Sequence, residues 1–347
     1  MPEPVALCVI GGGAIGQRHI SCALASQAVA LTSVVEPHAP QAARLAARGV
    51  TVVPELSAVP DHTRAAIVAT PTANHAATAL ACLERGWAVL VEKPITASYA
   101  EAVALCDRAE ALGLPLMAGH HRRCHPFVGA ARMRLAALGD LVAVQGIWSL
   151  RKHDSYFDPA WRRSAGAGPV LTNLSHEIDL LHCIVGPITQ VTAMTANAVR
   201  GFEVEDTAAL AFRFANGALG SFVLSDAGAS PWAFEAATGE NPDIAVRGDD
   251  PVRLIGTKGA MGFPSLQSWA ATGETPPDWH SPLDLCAGPS YPAVDGIAAQ
   301  IDRFAAVVAG GTDPILATGR DGVRAIAVLD AVAASARSGR TTDVEGL

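Results

Sequence analysis

Val5-Ala6-Leu7-Cys8-Val9-Ile10-Gly11-Gly12-Gly13-Ala14-Ile15-Gly16 decides the fold of the first third of this chain. Six apolar residues too short for a helix run straight into a G-x-G-x-x-G, and the residues that follow, from Gln17 on, suit a helix. A strand, a glycine turn and a helix in that order make a phosphate cradle. Gly11 permits the tight turn, Gly13 lets the backbone approach a pyrophosphate, and Gly16 allows close helix–strand packing. Ala14 and Ile15 open the helix, whose unpaired N–H groups favour an anion.

Working outward, strand-like runs recur at Leu31–Val35, Ala65–Ala69, Ala88–Val91 and Pro115–Ala118, with Ala-rich helical stretches after Gly13, Pro40, Thr72 and Thr96. This alternation predicts a parallel sheet with helices on both faces. After about residue 120 the pattern changes. A short helix over Pro126–Leu138 leads to a long strand, Leu141–Leu150, then a loop rich in glycine and charge, then a helix over Asn173–Val185. Strand-like runs Ile188–Ala198, Thr207–Phe214 and Ala218–Ser225 follow, the last two joined by Asn216-Gly217, a hairpin turn signal. Residues Gly228–Pro251 read as a long loop, and helical runs Val294–Ala309 and Gly322–Ala336 close the chain.

The chain has 347 residues, half of them apolar, which suits two domains of ordinary size. The formal charge of −8 and the lack of a basic stripe argue against nucleic acid as a partner. No apolar run approaches the ~18 residues of a membrane span, and the N-terminus carries no basic region ahead of its apolar run. Seven scattered cysteines without a C-x-x-C suit reduced thiols and a cytoplasmic setting.

Further residues carry chemistry. Glu36 ends the second strand about twenty residues past the glycines, where a carboxylate accepts hydrogen bonds from the adenosine ribose of NAD and repels the 2′-phosphate of NADP. His38 and Arg44 lie close enough in sequence to soften that exclusion. Thr70-Pro71-Thr72-Ala73-Asn74-His75 follows the third long strand candidate, and Glu92-Lys93-Pro94 follows the fourth. Lys93 thus stands at the carboxyl end of a parallel strand, where such sheets bind ligands. The run His120-His121-Arg122-Arg123-Cys124-His125-Pro126 is rich in ligand atoms, but no second cluster has metal-site spacing, so no metal is expected.

The A-T-P-x-x-x-H and E-K-P segments together resemble the glucose–fructose oxidoreductase/inositol dehydrogenase (Gfo/Idh/MocA) family, and the resemblance runs through essentially the whole chain. It implies an N-terminal α/β Rossmann domain with a parallel sheet, here residues 1–122. A C-terminal α+β domain with a large, mostly antiparallel open-faced sheet would cover 123–347, the last helices being able to pack back on the first. It also implies NAD as cofactor, held by Gly11, Gly13, Ala14, Ile15, Gly16, Glu36, Thr70, Pro71, Asn74, His75, Glu92 and Lys93.

By the same resemblance, Lys93 and His176 are the catalytic pair, and the Lys93–Pro94 bond is cis. Arg123, with Pro126, matches an R-x-x-P at the domain crossover. The Trp161-Arg162 pair, the Gly166–Gly168 segment and Thr172-Asn173-Leu174-Ser175-His176-Glu177-Ile178-Asp179 match the family's substrate side. Ala167 replaces a glycine there, and Thr172 stands where the family often has an Asp. On a regular helix, positions 172, 176 and 179 share one face. Arg123, Trp161, Arg162, Thr172, Asn173 and Asp179 are therefore the substrate-side candidates.

The function implied is hydride transfer between nicotinamide and a carbon of a sugar, cyclitol or related polyol, in a homodimer or homotetramer. Apolar runs within Thr207–Phe214 and Ala218–Ser225 are consistent with a sheet covered by helices on one face and by another subunit on the other. An NAD-dependent glycoside hydrolase of the same fold and a non-catalytic dinucleotide sensor are the alternatives.

Overall fold

The computed structural model describes residues 3–164, 166–271 and 277–346. The chain forms two compact units, one of residues up to 125 with 294–326, the other of 126–293 with the residues from 327 on.

The first unit is built on six strands: β1 (Val5–Ile10), β2 (Val29–Val35), β3 (Val52–Val53), β4 (Ala65–Val68), β5 (Ala88–Val91) and β6 (Leu116–Ala118). Their order is β3-β2-β1-β4-β5-β6, and every pair is parallel. Helices α1 (Ala14–Ala25), α2 (Ala39–Ala46), α3 (His75–Leu83) and α4 (Tyr99–Leu112) make the crossovers. β1 shows why its sequence is apolar throughout. Leu7 and Val9 enter one core with Ile20 and Phe304, while Cys8 and Ile10 enter the other with Val68 and Val91. A strand buried on both faces has no polar positions to alternate. The strand order reverses between β1 and β4, so the segments after these two strands diverge and leave a crevice at the carboxyl edge. Helix Gly296–Val308 belongs to this unit and packs Ile297, Ile301 and Phe304 against the β1 face.

The second unit holds a nine-stranded sheet: β7 (Leu141–Ser149), β8 (Ile188–Ala196), β9 (Thr207–Phe214), β10 (Leu219–Ser225), β11 (Val252–Gly256), β12 (Gly259–Phe263), β13 (Ser268–Ala270), β14 (Asp284–Cys286) and β15 (Thr342–Asp343). The order is β14-β13-β12-β11-β7-β10-β9-β8-β15, antiparallel at every pairing except β7 with β10. Helices α5 (Pro126–Arg134), α6 (Ser175–Ile184) and α7 (Phe234–Thr238) complete it, with helix Gly319–Ser338 continuing into this unit from residue 327. Leu181 and Ile184 of α6 meet Val252, Leu254 and Phe263 across a small void. β9 alternates cleanly: Ala208, Leu210, Phe212 and Phe214 are buried, and Ala209, Ala211 and Arg213 are exposed.

Three local differences from the sequence reading have physical reasons. The stretch read as a loop up to Pro251 contains α7, closed by Gly239 in the left-handed region, and Glu235 of α7 accepts from Trp148 Nε1 at 2.9 Å. The strands after it are short and glycine-bearing, and pairing with β7 defines them more than their own propensity does. The helix expected from Asn173 starts earlier, as a π-helical turn over Val170–Leu174 before α6, so regular spacing does not carry from Thr172 to His176. All seven cysteines are free thiols, six buried and Cys286 exposed.

A Cβ on Gly16 would fall on the carbonyl of Gly11. Gly16→Ala should therefore destabilise the protein by about 1–3 kcal/mol, the usual cost of overpacking. Thermal unfolding of the variant reads this, and an unchanged Tm would show that the loop and α1 can separate at no cost.

Candidate active site

The crevice at the carboxyl edge of the first sheet is a cavity of about 720 Å³. Gly11–Gly13 follow β1, Glu36 follows β2, and Thr70 and Pro71 follow β4; with Asn74 they line it. Gly11 takes φ +102° and packs its α-carbon against Ala69, where a Cβ would meet the Ala69 carbonyl at 2.6 Å. At Gly13, the N-cap of α1, a Cβ would meet nothing within 4 Å, so the space in front of the helix is open. The Glu36 carboxylate accepts from Gly12 N at 2.9 Å and His38 N at 2.8 Å, which fixes it beside the glycine loop. The buried Thr70 hydroxyl oxygen has no hydrogen-bond partner among the described residues. An open helix N-terminus, a fixed carboxylate and a hydroxyl awaiting a partner fit a dinucleotide.

Behind the lining, His75 lies between two backbone carbonyls, with Nδ1 2.8 Å from Pro94 O and Nε2 2.8 Å from Thr70 O. It ties the segment after β4 to the turn after β5. Its buried position makes it a brace for the pocket, one step removed from the lining. The Lys93–Pro94 bond is cis, as the resemblance implies. Glu92 is buried, with Oε1 2.7 Å from Nε2 of His19 on α1 and Oε2 accepting from Lys93 N at 3.1 Å. Burial works to raise the Glu92 pKa, but His19, with lesser help from His121 and Lys93, overcomes it and holds the group down at about 2. Ala14, Ile15 and Gly16 form the first turn of α1. Arg123 is buried and paired with Asp321 at 3.3 Å.

In the second unit Thr172 and Asn173 lie on the π turn, and His176 and Asp179 are buried in α6. The Thr172 hydroxyl lies 3.0 Å from Gly168 O and 2.9 Å from Asn173 Oδ1. Trp161 is 60% exposed, and Arg162 lies over the Tyr156 ring.

The residue that sequence reasoning missed is Lys152, just past β7. Its Nζ lies 3.0 Å from Asn173 Oδ1, 3.5 Å from Thr172 Oγ1 and 3.4 Å from Asp226 Oδ2. Burial pushes its pKa below the ordinary lysine value, against the pull of Asp226. A lysine at the end of a long strand, opening a charged loop, was the available signal. Its partner Asp226 follows β10 and could not be paired with it from sequence alone. Lys93 and His176 lie in different units.

Residues 5–120 match the oxidoreductase family with an NAD-binding Rossmann fold, Gfo/Idh/MocA, and residues 130–261 match the Gfo/Idh/MocA C-terminal domain. The chain belongs to this family, and residues 5–120 are its NAD-binding domain. It is 30% identical over 208 residues to a 4-carboxy-2-hydroxymuconate-6-semialdehyde dehydrogenase of a Sphingobium strain, an alignment covering 56% of this chain and 62% of that protein. Inositol 2-dehydrogenase 2 of Paenarthrobacter aurescens is 26% identical over 359 residues, 98% of each chain. Among solved structures, GenD2 from gentamicin A biosynthesis, in complex with NAD, superposes with a TM-score of 0.75 at 26% identity, covering 100% of this chain and 98% of that one.

The depressed Glu92 pKa has a signed consequence. A carboxylate held at about 2, against an ordinary 4.5, contributes stability that is complete above 4.5 and is lost as pH falls toward 2. Glu92→Gln should lower the Tm at pH 7, and the gap to wild type should narrow as pH falls from 4.5 toward 2. A gap that stays constant across that range would show that the Glu92 charge contributes nothing.

Proposed function

We propose that this protein is an NAD-dependent dehydrogenase acting on a CH–OH group of a sugar, cyclitol or related polyol. The observation that carries the reading is Lys93 at the carboxyl end of β5, the sheet edge that also forms the dinucleotide crevice. The names of the relatives, inositol 2-dehydrogenase among them, point the same way. When bound, the nicotinamide accepts or supplies the hydride.

Lys93 polarises the substrate oxygen and stabilises negative charge developing on it. His176 takes the hydroxyl proton in oxidation and returns it in reduction, as an imidazole can near neutrality. Thr172 supplies no carboxylate, so Asp179 on the same helix is the acid left to orient the imidazole. Trp161, Arg162 and Asn173 contact substrate, and Arg123 braces its own segment through Asp321. Glu36 selects NAD over NADP. The Met194, Leu219 and Val223 side chains exposed on β8 and β10 support a homodimer or homotetramer formed through this sheet. Free thiols throughout support a cytoplasmic setting.

A panel of polyols and sugars, followed by NADH absorbance, tests the activity, and NADH formation from none of them would overturn it. With the substrate found, His176→Ala and Lys93→Ala should each lower kcat by roughly 10²–10⁴. The double variant should cost far less than the product of the two, and NAD affinity should barely change. Near-wild-type turnover in His176→Ala would remove it from the mechanism. Titration of the two dinucleotides at fixed salt should give the tighter Kd for NAD, and tighter or equal NADP binding would remove Glu36 as the selector.

A further inference from the structure

The second unit gathers cations around one aromatic ring. Lys152 Nζ lies 4.8 Å from the centre of Tyr156, and the Arg162 guanidinium carbon lies 4.0 Å from the same centre. The ring face attracts each cation, but the cations repel one another. Asp226 answers only part of this charge. Its Oδ2 faces Lys152 at 3.4 Å, while Oδ1 accepts from Arg200 Nε at 3.2 Å. One buried carboxylate therefore serves two buried cations. Asp154 is exposed and is itself shared by Arg151 and Arg200.

Two further acids lie near Lys152, and Glu235 adds a weaker pull to that of Asp226. Glu235 accepts from Trp148 Nε1, and Glu205 accepts from Val170 N at 3.0 Å, with burial pushing the Glu205 carboxyl above its ordinary range. Arg162 has no carboxylate partner among the described residues. Its Nη1 donates to Tyr156 O at 2.7 Å, and its buried Nε has no hydrogen-bond partner among the described residues.

Asn173 adds a directed donor. An ammonium can only donate, so the atom it meets at 3.0 Å must be the amide oxygen. The Thr172 hydroxyl at 2.9 Å reinforces that orientation. The Nδ2 group consequently turns away from Lys152, and no hydrogen-bond partner for it occurs among the described residues. The result is a cluster in which two donors, Arg162 Nε and Asn173 Nδ2, have no hydrogen-bond partner among the described residues.

We propose that this cluster receives a carboxylate on the substrate, bound by Arg162 and Asn173 Nδ2 with Lys152 supplying charge, so that the substrate is an acidic sugar or polyol. The inference rests on the dehydrogenase reading for its chemistry, but the binding it describes is separable from turnover.

Calorimetry on the full chain saturated with NAD tests it with matched probes: D-glucuronate against D-glucose, D-galacturonate against D-galactose, and D-gluconate against sorbitol. At least one acid should bind about tenfold or more tighter than its neutral partner, the size of one charge-assisted hydrogen bond. Arg162→Gln, a change at a half-exposed site, should bring that ratio close to one with the Kd for NAD unchanged. Lys152→Met should also lower the ratio. Failure of every acid to bind, equal binding within each pair, or a preference that survives Arg162→Gln would overturn the proposal. NADH formation is read separately. Acid-selective binding with no NADH from any probe would keep the anion site and overturn the dehydrogenase reading. NADH formation together with equal binding within each pair would do the reverse.

Discussion

A single buried contact governs the first unit: the 2.7 Å approach of the Glu92 carboxylate to the His19 imidazole. His19 lies one turn beyond Gly16 on α1, the helix whose N-terminus faces the dinucleotide crevice. Glu92 directly precedes Lys93. Fixing one to the other therefore sets two things together, the register of the phosphate-facing helix and the exit path of the chain at the end of β5. Taking a carboxylate out of water costs several kcal/mol unless its oxygens are satisfied, and both of these are, one by His19 and one by Lys93 N. Partial satisfaction would make the same residue a liability. His75 repeats the logic on the other side of Lys93, spanning Thr70 and Pro94.

The second unit balances charge differently. Asp226 is shared between Lys152 and Arg200, and Thr172 offers a hydroxyl where the family resemblance implies a carboxylate. The π turn gives this departure a setting. An extra residue in the turn separates Thr172 and Asn173 from the regular spacing of α6, and insertions of this kind are frequent at functional sites. Asn173 becomes the polar side chain that Lys152 orients, while His176 and Asp179 keep the ordinary helical relation behind it.

What could be read from sequence follows the range of the interactions involved. β1 emerged with its observed bounds because a six-residue apolar run ending in glycines allows few alternatives, and β5 and β9 were equally plain. The glycine loop, Glu36, Thr70, Glu92 and Lys93 were legible because each sits at a strand end within a few residues of its signal. β11 through β14 were not. They are only three to five residues long, β11 and β12 carry Gly256, Gly259 and Gly262, and they exist because β7 offers an edge far earlier in the chain. Lys152 was missed for the same reason, since its meaning comes from Asp226 and Asn173. The π turn leaves no periodic trace, since residues 170–174 read equally well as an ordinary helix.

The first unit is discontinuous, and that has a consequence for its biosynthesis. Leu7, Val9 and Ile20 share their core with Ile297, Ile301 and Phe304. A ribosome delivers the chain from its N-terminus, so this face of the parallel sheet lacks the cover of helix Gly296–Val308 while residues 126–293 are made. During that interval α1 and β1 present an apolar surface without that cover, the kind of surface on which nascent chains aggregate or recruit chaperones. The unit translated first is thus among the last to be sealed.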